Sequence, residues 1–196
     1  MSIPNAMVRL LVAAFLIASL GCDSGPASTE AETADTEETA SAQERERLSP
    51  HESVTGNVGE ANLTITYGRP YKKGREIYGG LVPFDEVWRT GADEATTLET
   101  DRDLMLGALH VPAGKYALFT IPGESNWTLV VNKVADQWGA FRYDEAEDLG
   151  RVEMAVSEAN EMTEQLTIGI EAGEGANGTL SIVWDMTVAT LAIVAH

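Results

Sequence analysis

Five of the chain's thirteen Lys and Arg residues fall within one short span: Arg69, Lys72, Lys73, Arg75 and Arg89. The rest of the chain is strongly acidic, with a formal net charge of −18. Guanidinium and ammonium groups crowded together in such a background suit an anionic ligand: a carboxylate, a phosphate or a sulfated sugar. The acidic residues Asp85, Glu86, Asp93 and Glu94 lie in and beside the same span. They allow a second reading, in which Arg69 and Arg89 pair with Glu86, Asp93 or Glu94 and simply fix a loop. A third use of these acids is glycosidic hydrolysis, which needs two carboxyl groups about 5–9 Å apart. For Asp93, in Thr-Gly-Ala-Asp-Glu-Ala, turn capping is the plainer role.

Aromatic residues are interleaved with these charges. Tyr67, Tyr71, Tyr78, Trp88, Trp127, Trp138 and Tyr143 could stack on sugar faces while their polar tips form hydrogen bonds. Trp127 and Trp184 sit on the inward phase of alternating segments and read as core. Trp88 fits either place, and Trp138, between a turn and Gly139, is the best candidate for exposure. Metal and nucleophile chemistry finds little support. His51, His110 and His196 are far apart with no ligand spacing, and no Ser, zinc or P-loop signature is present. GREIYGG and GEGANG lack the strand–turn–helix context of a phosphate cradle. The ligand-site candidates are therefore Arg69, Arg75, Arg89, Asp93, Glu94, Trp138 and Tyr143. No catalytic residue, metal ligand or cofactor is expected.

These residues must be held by something, and the chain divides into three parts. Residues 1–21 carry Arg9 and an apolar run from Leu10 to Leu20, too short to span a bilayer comfortably. The run ends at Cys22, the sole cysteine, so no disulfide within the chain is possible. This arrangement resembles a bacterial lipoprotein signal, with Cys22 as the lipidated residue. Gly21 fits that pattern, while Ser19 and Leu20 stand in the reverse of the usual order. Residues 22–47 are rich in Glu, Thr, Ser and Ala and have no aromatic residue. Such a segment cannot bury enough apolar surface to offset its ordering entropy, and it reads as a disordered acidic tether. Residues 48–196 have the length and composition of one domain with its own core. The net charge repels nucleic acid and excludes it as a partner. The expected partners are a membrane, through Cys22, and a glycan, peptide or anionic small ligand. The expected location is the cell envelope, facing the periplasm or the cell exterior.

Within 48–196, short apolar–polar alternations recur. Asn62 to Tyr67 places Leu63, Ile65 and Tyr67 on one face. Pro70, Pro83, Gly74, Gly79 and Gly80 make Gly68 to Phe84 an ordered loop. Val87 to Thr90 and Ala95 to Glu99 read as strands. Further strands follow near residues 103–107, 109–111, 115–121, 127–132, 152–156, 166–170, 180–184 and 188–194, with a helical turn or two at 144–149. About nine to eleven strands at roughly ten-residue spacing, with little helix, predict an all-β antiparallel sandwich or jelly roll.

Several stretches carry a family resemblance: SPHESV from Ser49, ITYGRPYKKGREIYGGLVPF from Ile65, VWRTGADEATT from Val87, PAGKYALFTIPGESNWTLVVNK from Pro112, QWGAFRYDEAEDLGRV from Gln137, and Leu-x-Ile-x-Trp closing at Trp184. With these, the chain from about Leu48 to Ile193 resembles the bacterial domain family DUF2911. Many members of that family carry Asn where Asp93 stands. The resemblance implies a secreted or lipid-anchored β domain and assigns no activity. Function at this level is a binding or interaction module, with a structural envelope protein or a carboxylate-dependent hydrolase as alternatives.

Overall fold

The computed structural model describes residues 49–196. Cys22, the signal segment and the acidic tether lie outside the described residues. The domain is all-β, with nine antiparallel strands and a single 3₁₀ turn at Glu145–Glu147. The strands are β1 (His51–Val58), β2 (Ala61–Gly68), β3 (Ala92–Thr100), β4 (Leu104–Leu106), β5 (Leu109–Val111), β6 (Gly114–Pro122), β7 (Trp127–Asn132), β8 (Asp148–Ala172) and β9 (Asn177–Ala195). They form one sheet in the order β1-β2-β3-β6-β7-β8-β9-β4-β5, and it is not closed into a barrel.

One strand turns this sheet into a sandwich. The first part of β8, Asp148 to Met154, pairs with β7, and the rest, from Ala155, pairs with β9. The strand thus passes from one wing of the sheet to the other, and the wings fold face to face. Tyr67 on β2 makes the closure visible, because its hydroxyl accepts the backbone N–H of Ile168 on β8 at 3.1 Å. Gly56 on β1 lies so close to β8 that an added Cβ would stand 2.6 Å from Ile170.

Alternation explains which side chains meet. Leu63, Ile65 and Tyr67 of β2 are buried, as are Leu166, Ile168, Leu180, Ile182 and Trp184 of the facing wing. Each large apolar side chain removed from water contributes about 1.5–3 kcal/mol. A second, smaller cluster forms on the opposite face of the β3–β6–β7 sheet. Ala95, Ala117, Phe119 and Val130 are buried there beneath Val87, Ile121, Ala140 and Tyr143. The central strand β6 is therefore covered on both faces, and Ala117 to Thr120 form an unbroken buried run.

The strands differ from the expected segments in three places. β1, with its polar sequence His-Glu-Ser-Val-Thr-Gly-Asn-Val, is a full strand that alternation did not single out. Val87 to Thr90 is not a strand and contributes one isolated bridge, Trp88 to Thr120. The segments near 152–156 and 166–170 belong to one strand, as do those near 180–184 and 188–194. A polar stretch separates the first two. In the structure the ladder crosses it with register shifts at Glu158/Thr163 and Thr163/Thr167, where bulges keep the strand paired while most of its side chains face water.

Candidate functional site

The long connection from β2 to β3 is fixed first at its near end. Arg69 donates from Nε to the Leu166 carbonyl at 2.8 Å, from Nη1 to Glu52 at 2.7 Å and from Nη2 to Thr167 at 2.9 Å. Leu166 N–H donates to the Pro70 carbonyl, and Lys72 N–H donates to the Glu164 carbonyl. Lys72 also pairs through its ammonium with Asp185. These contacts add Arg69 to Lys72 to the free flank of β8. Arg75 then folds back, donating from its guanidinium to the carbonyls of Tyr71 and Lys72.

The middle of the connection is anchored by apolar side chains. Ile77 and Val82 enter the main core. Tyr78 packs edge-on against Trp88, Trp127 and Trp184, with centroids 6.3, 4.8 and 6.4 Å away. Burial, with a minor contribution from the Asp185 charge, pushes its phenol far above the usual tyrosine range. Trp88 stacks on Trp184 at 6.0 Å with the ring planes 17° apart. Its backbone exchanges hydrogen bonds with Thr120 on β6.

The far end carries unusual backbone. Thr90 and Asp93 have φ of +57° and +63°, in the left-handed region. For a β-branched residue this conformation costs on the order of 1–3 kcal/mol, and such costs cluster at functional sites. Thr90 is fully buried, and its carbonyl accepts the Thr96 hydroxyl at 2.9 Å. Asp tolerates φ of +63° because short polar side chains visit this region readily.

These three anchors leave a groove of about 480 Å³ between them. Tyr71, Lys73, Arg75, Trp88, Arg89 and Asp93 line it, and Trp184 contributes at its floor. The Lys73 ammonium sits 5.9 Å from the Tyr71 ring centroid. Lys73, Arg75 and Arg89 form no ion pair among the described residues. Arg89 Nε is also shut away from solvent without a hydrogen-bond partner. A buried donor left unmade costs about 1–3 kcal/mol.

Of the acids expected to neutralise this cluster, Asp93 alone lines the groove, and it forms no ion pair with the groove cations among the described residues. Arg69 pairs with Glu52, not with Glu86, Asp93 or Glu94. Asp93 and Glu94 turn towards His51, whose Nε2 lies 3.9 Å from Asp93 Oδ2 and 2.9 Å from Glu94 Oε2. The latter contact has ion-pair distance without hydrogen-bond geometry. Asp85 and Glu86 do not line the groove, and Asp93 is its one carboxylate among the described residues. The two-carboxylate arrangement of a glycoside hydrolase is not assembled there.

Of the residues nominated from sequence, the structure brings Arg75, Arg89 and Asp93 together. Arg69 is a cross-wing tie. Glu94 lines a smaller hollow beside His51 and Lys115. Trp138 is 57% exposed and supports the groove from behind: its backbone bridges to Glu94, and Gly139 N–H donates to the Asp93 carbonyl at 3.0 Å. Tyr143 belongs to the second core, packing on Phe119 at 5.0 Å. Its hydroxyl donates to Asp148 and accepts from Arg151, each at 2.7 Å. Burial first, then the Asp148 hydrogen bond, pushes its phenol up to about 12. Tyr71, Lys73 and Trp88 are groove residues that the nomination left out. Clustering of aromatics with the cations was their sequence signal, but it does not separate a wall residue from a core residue.

A family model described as a protein of unknown function (DUF2911) matches residues 49–193. The chain belongs to this family. Comparison with curated proteins and with solved structures returns no match. The match covers every strand except the last residues of β9, so both the β2–β3 connection and the groove are part of the DUF2911 domain itself.

Proposed function

We propose that this domain is a binding module for a small organic anion, taken up in the groove of Lys73, Arg75 and Arg89. The observation that carries this reading is the partition of the five clustered cations. Arg69 and Lys72 are neutralised by Glu52 and Asp185, whereas the three that line the groove have no acidic partner among the described residues. A protein of net charge −18 has ample acid with which to pair them. Three unpaired cations beside aromatic walls, in a hollow of ligand-binding size, are arranged for an anion from outside. A lipidated Cys22 and the acidic segment 22–47 would hold the module at the cell envelope, facing the periplasm or the cell exterior.

The reading is tested by titrating the protein with sulfate, benzoate and D-glucuronate, followed by calorimetry or thermal shift. At least one anion is expected to bind, and Arg89→Ala is expected to weaken that binding at least about tenfold, the scale of one charge-assisted hydrogen bond. Binding unchanged in a folded Arg89→Ala protein, or no binding of any of the three, would falsify the assignment.

A further inference from the structure

Asp93 is the odd member of the groove. A site built only to hold an anion gains nothing from a carboxylate on its wall. Asp93 is not there to neutralise Arg75 or Arg89, since it pairs with neither. Its backbone is set at φ +63°, its carbonyl accepts Gly139 N–H, and its Oδ2 is enclosed beside His51. The side chain as a whole keeps 30% of its surface exposed. Asp93 therefore places a hydrogen-bond acceptor on the same groove wall as the cations. A bare carboxylate ligand is repelled by it, and a ligand that also carries a donor is rewarded.

The neighbouring walls narrow the kind of donor. Three cations against one carboxylate leave the lining net positive, which disfavours an ammonium and favours a neutral hydroxyl. Tyr71 and Trp88 supply aromatic surface suited to the C–H face of a saturated ring. The planar fork of an arginine suits a carboxylate. Resting on the anion-binding reading, we infer that the ligand is a hydroxylated ring carboxylate of the sugar-acid class, and that Asp93 selects its hydroxyls. The carboxylate meets Arg75 and Arg89, the ring lies against Tyr71 and Trp88, and a hydroxyl donates to Asp93.

The test compares four probes on the full-length protein by calorimetry. D-glucuronate has the ring, the charge and the hydroxyls. Cyclohexanecarboxylate keeps ring size and charge without hydroxyls. D-glucose keeps the hydroxyls without the charge. L-phenylalanine adds an ammonium. D-glucuronate is expected to bind at least about tenfold more tightly than each of the others. Asp93→Gly removes the acceptor at a backbone angle glycine adopts freely, and Asp93→Asn removes the charge at an angle Asn tolerates. The preference for D-glucuronate over cyclohexanecarboxylate is expected to narrow to about twofold or less in Asp93→Gly and to an intermediate value in Asp93→Asn, whose amide oxygen still accepts. Equal binding of D-glucuronate and cyclohexanecarboxylate to the unaltered protein overturns the sugar-acid assignment and leaves the anion site standing, as does a preference unchanged in both variants. Tighter binding of L-phenylalanine assigns Asp93 to an ammonium and also overturns it. Absence of binding by every charged probe overturns this inference together with the anion-binding reading on which it rests.

Discussion

His51 Nε2 lies 2.9 Å from Oε2 of Glu94, although β2 runs between their strands. The register places His51 opposite Gly68, and Gly68 opposite Ala92. Gly68 carries no side chain, so the imidazole crosses the middle strand and meets the carboxylates of β3. That reach brings His51 within ion-pair distance of both carboxylates. A single glycine thus opens the path by which a β1 side chain reaches Asp93 on the groove wall.

Gly68 is consequently a sensitive position. A Cβ there would stand 2.1 Å from the Ala92 carbonyl oxygen, a backbone atom with little freedom to move. Gly68→Ala is expected to destabilise the domain by about 2–3 kcal/mol, the upper range for overpacking, and to shift the midpoint of urea denaturation accordingly. A midpoint within error of the unaltered protein would show that β2 and β3 are further apart than described.

The two fates of the clustered cations predict separate effects. Arg69 holds β1 and β8 together through three hydrogen bonds, one of them to a charged partner. Arg69→Ala is expected to cost about 2 kcal/mol in denaturant unfolding. Arg75 is exposed and its own bonds stay within the loop. Arg75→Ala is expected to change stability by less than about 1 kcal/mol while weakening anion binding.

Two phenylalanines offer a control for the second core. Phe119 is fully buried and Phe141 is 86% exposed. Phe119→Ala is expected to cost about 3–5 kcal/mol, and Phe141→Ala to stay within about 0.5 kcal/mol of neutral. Comparable losses at the two positions would mean that the loop from 133 to 144 covers more apolar surface than its exposure indicates.

Alkaline pH provides a global readout. Tyr67, Tyr78, Tyr116 and Tyr143 all have phenols pushed above the ordinary value of 10.0, in each case chiefly by burial. A group whose folded pKa is raised contributes stability that is complete below its unfolded value and is lost as pH rises towards the folded one. The contribution of Tyr143 should therefore be intact below pH 10 and decline towards about 12. Phenolate absorbance is expected to stay suppressed above pH 10 and then to rise together with the loss of β-sheet circular dichroism. Ordinary titration of these phenols near pH 10 in a folded domain would contradict the burial assigned to them.

The all-β class was legible in the amino-acid pattern because strand alternation is local. Leu63, Ile65 and Tyr67 reveal their common face within six residues, and the buried places of Trp127 and Trp184 follow by the same rule. The continuity of β8 was not legible. A polar stretch reads alike whether it turns or runs on through a bulge, and only pairing with β9 distinguishes the two. The site divides along the same line. The clustering of cations, aromatics and glycines between Tyr67 and Thr97 marks the region without help from structure. Which cations are neutralised depends on Glu52, Leu166, Thr167 and Asp185, brought in from β1, β8 and β9. Ion pairs and hydrogen bonds act over a few ångströms of space and are indifferent to chain distance. The charge left over in the groove therefore exists only once the wings of the sheet have closed.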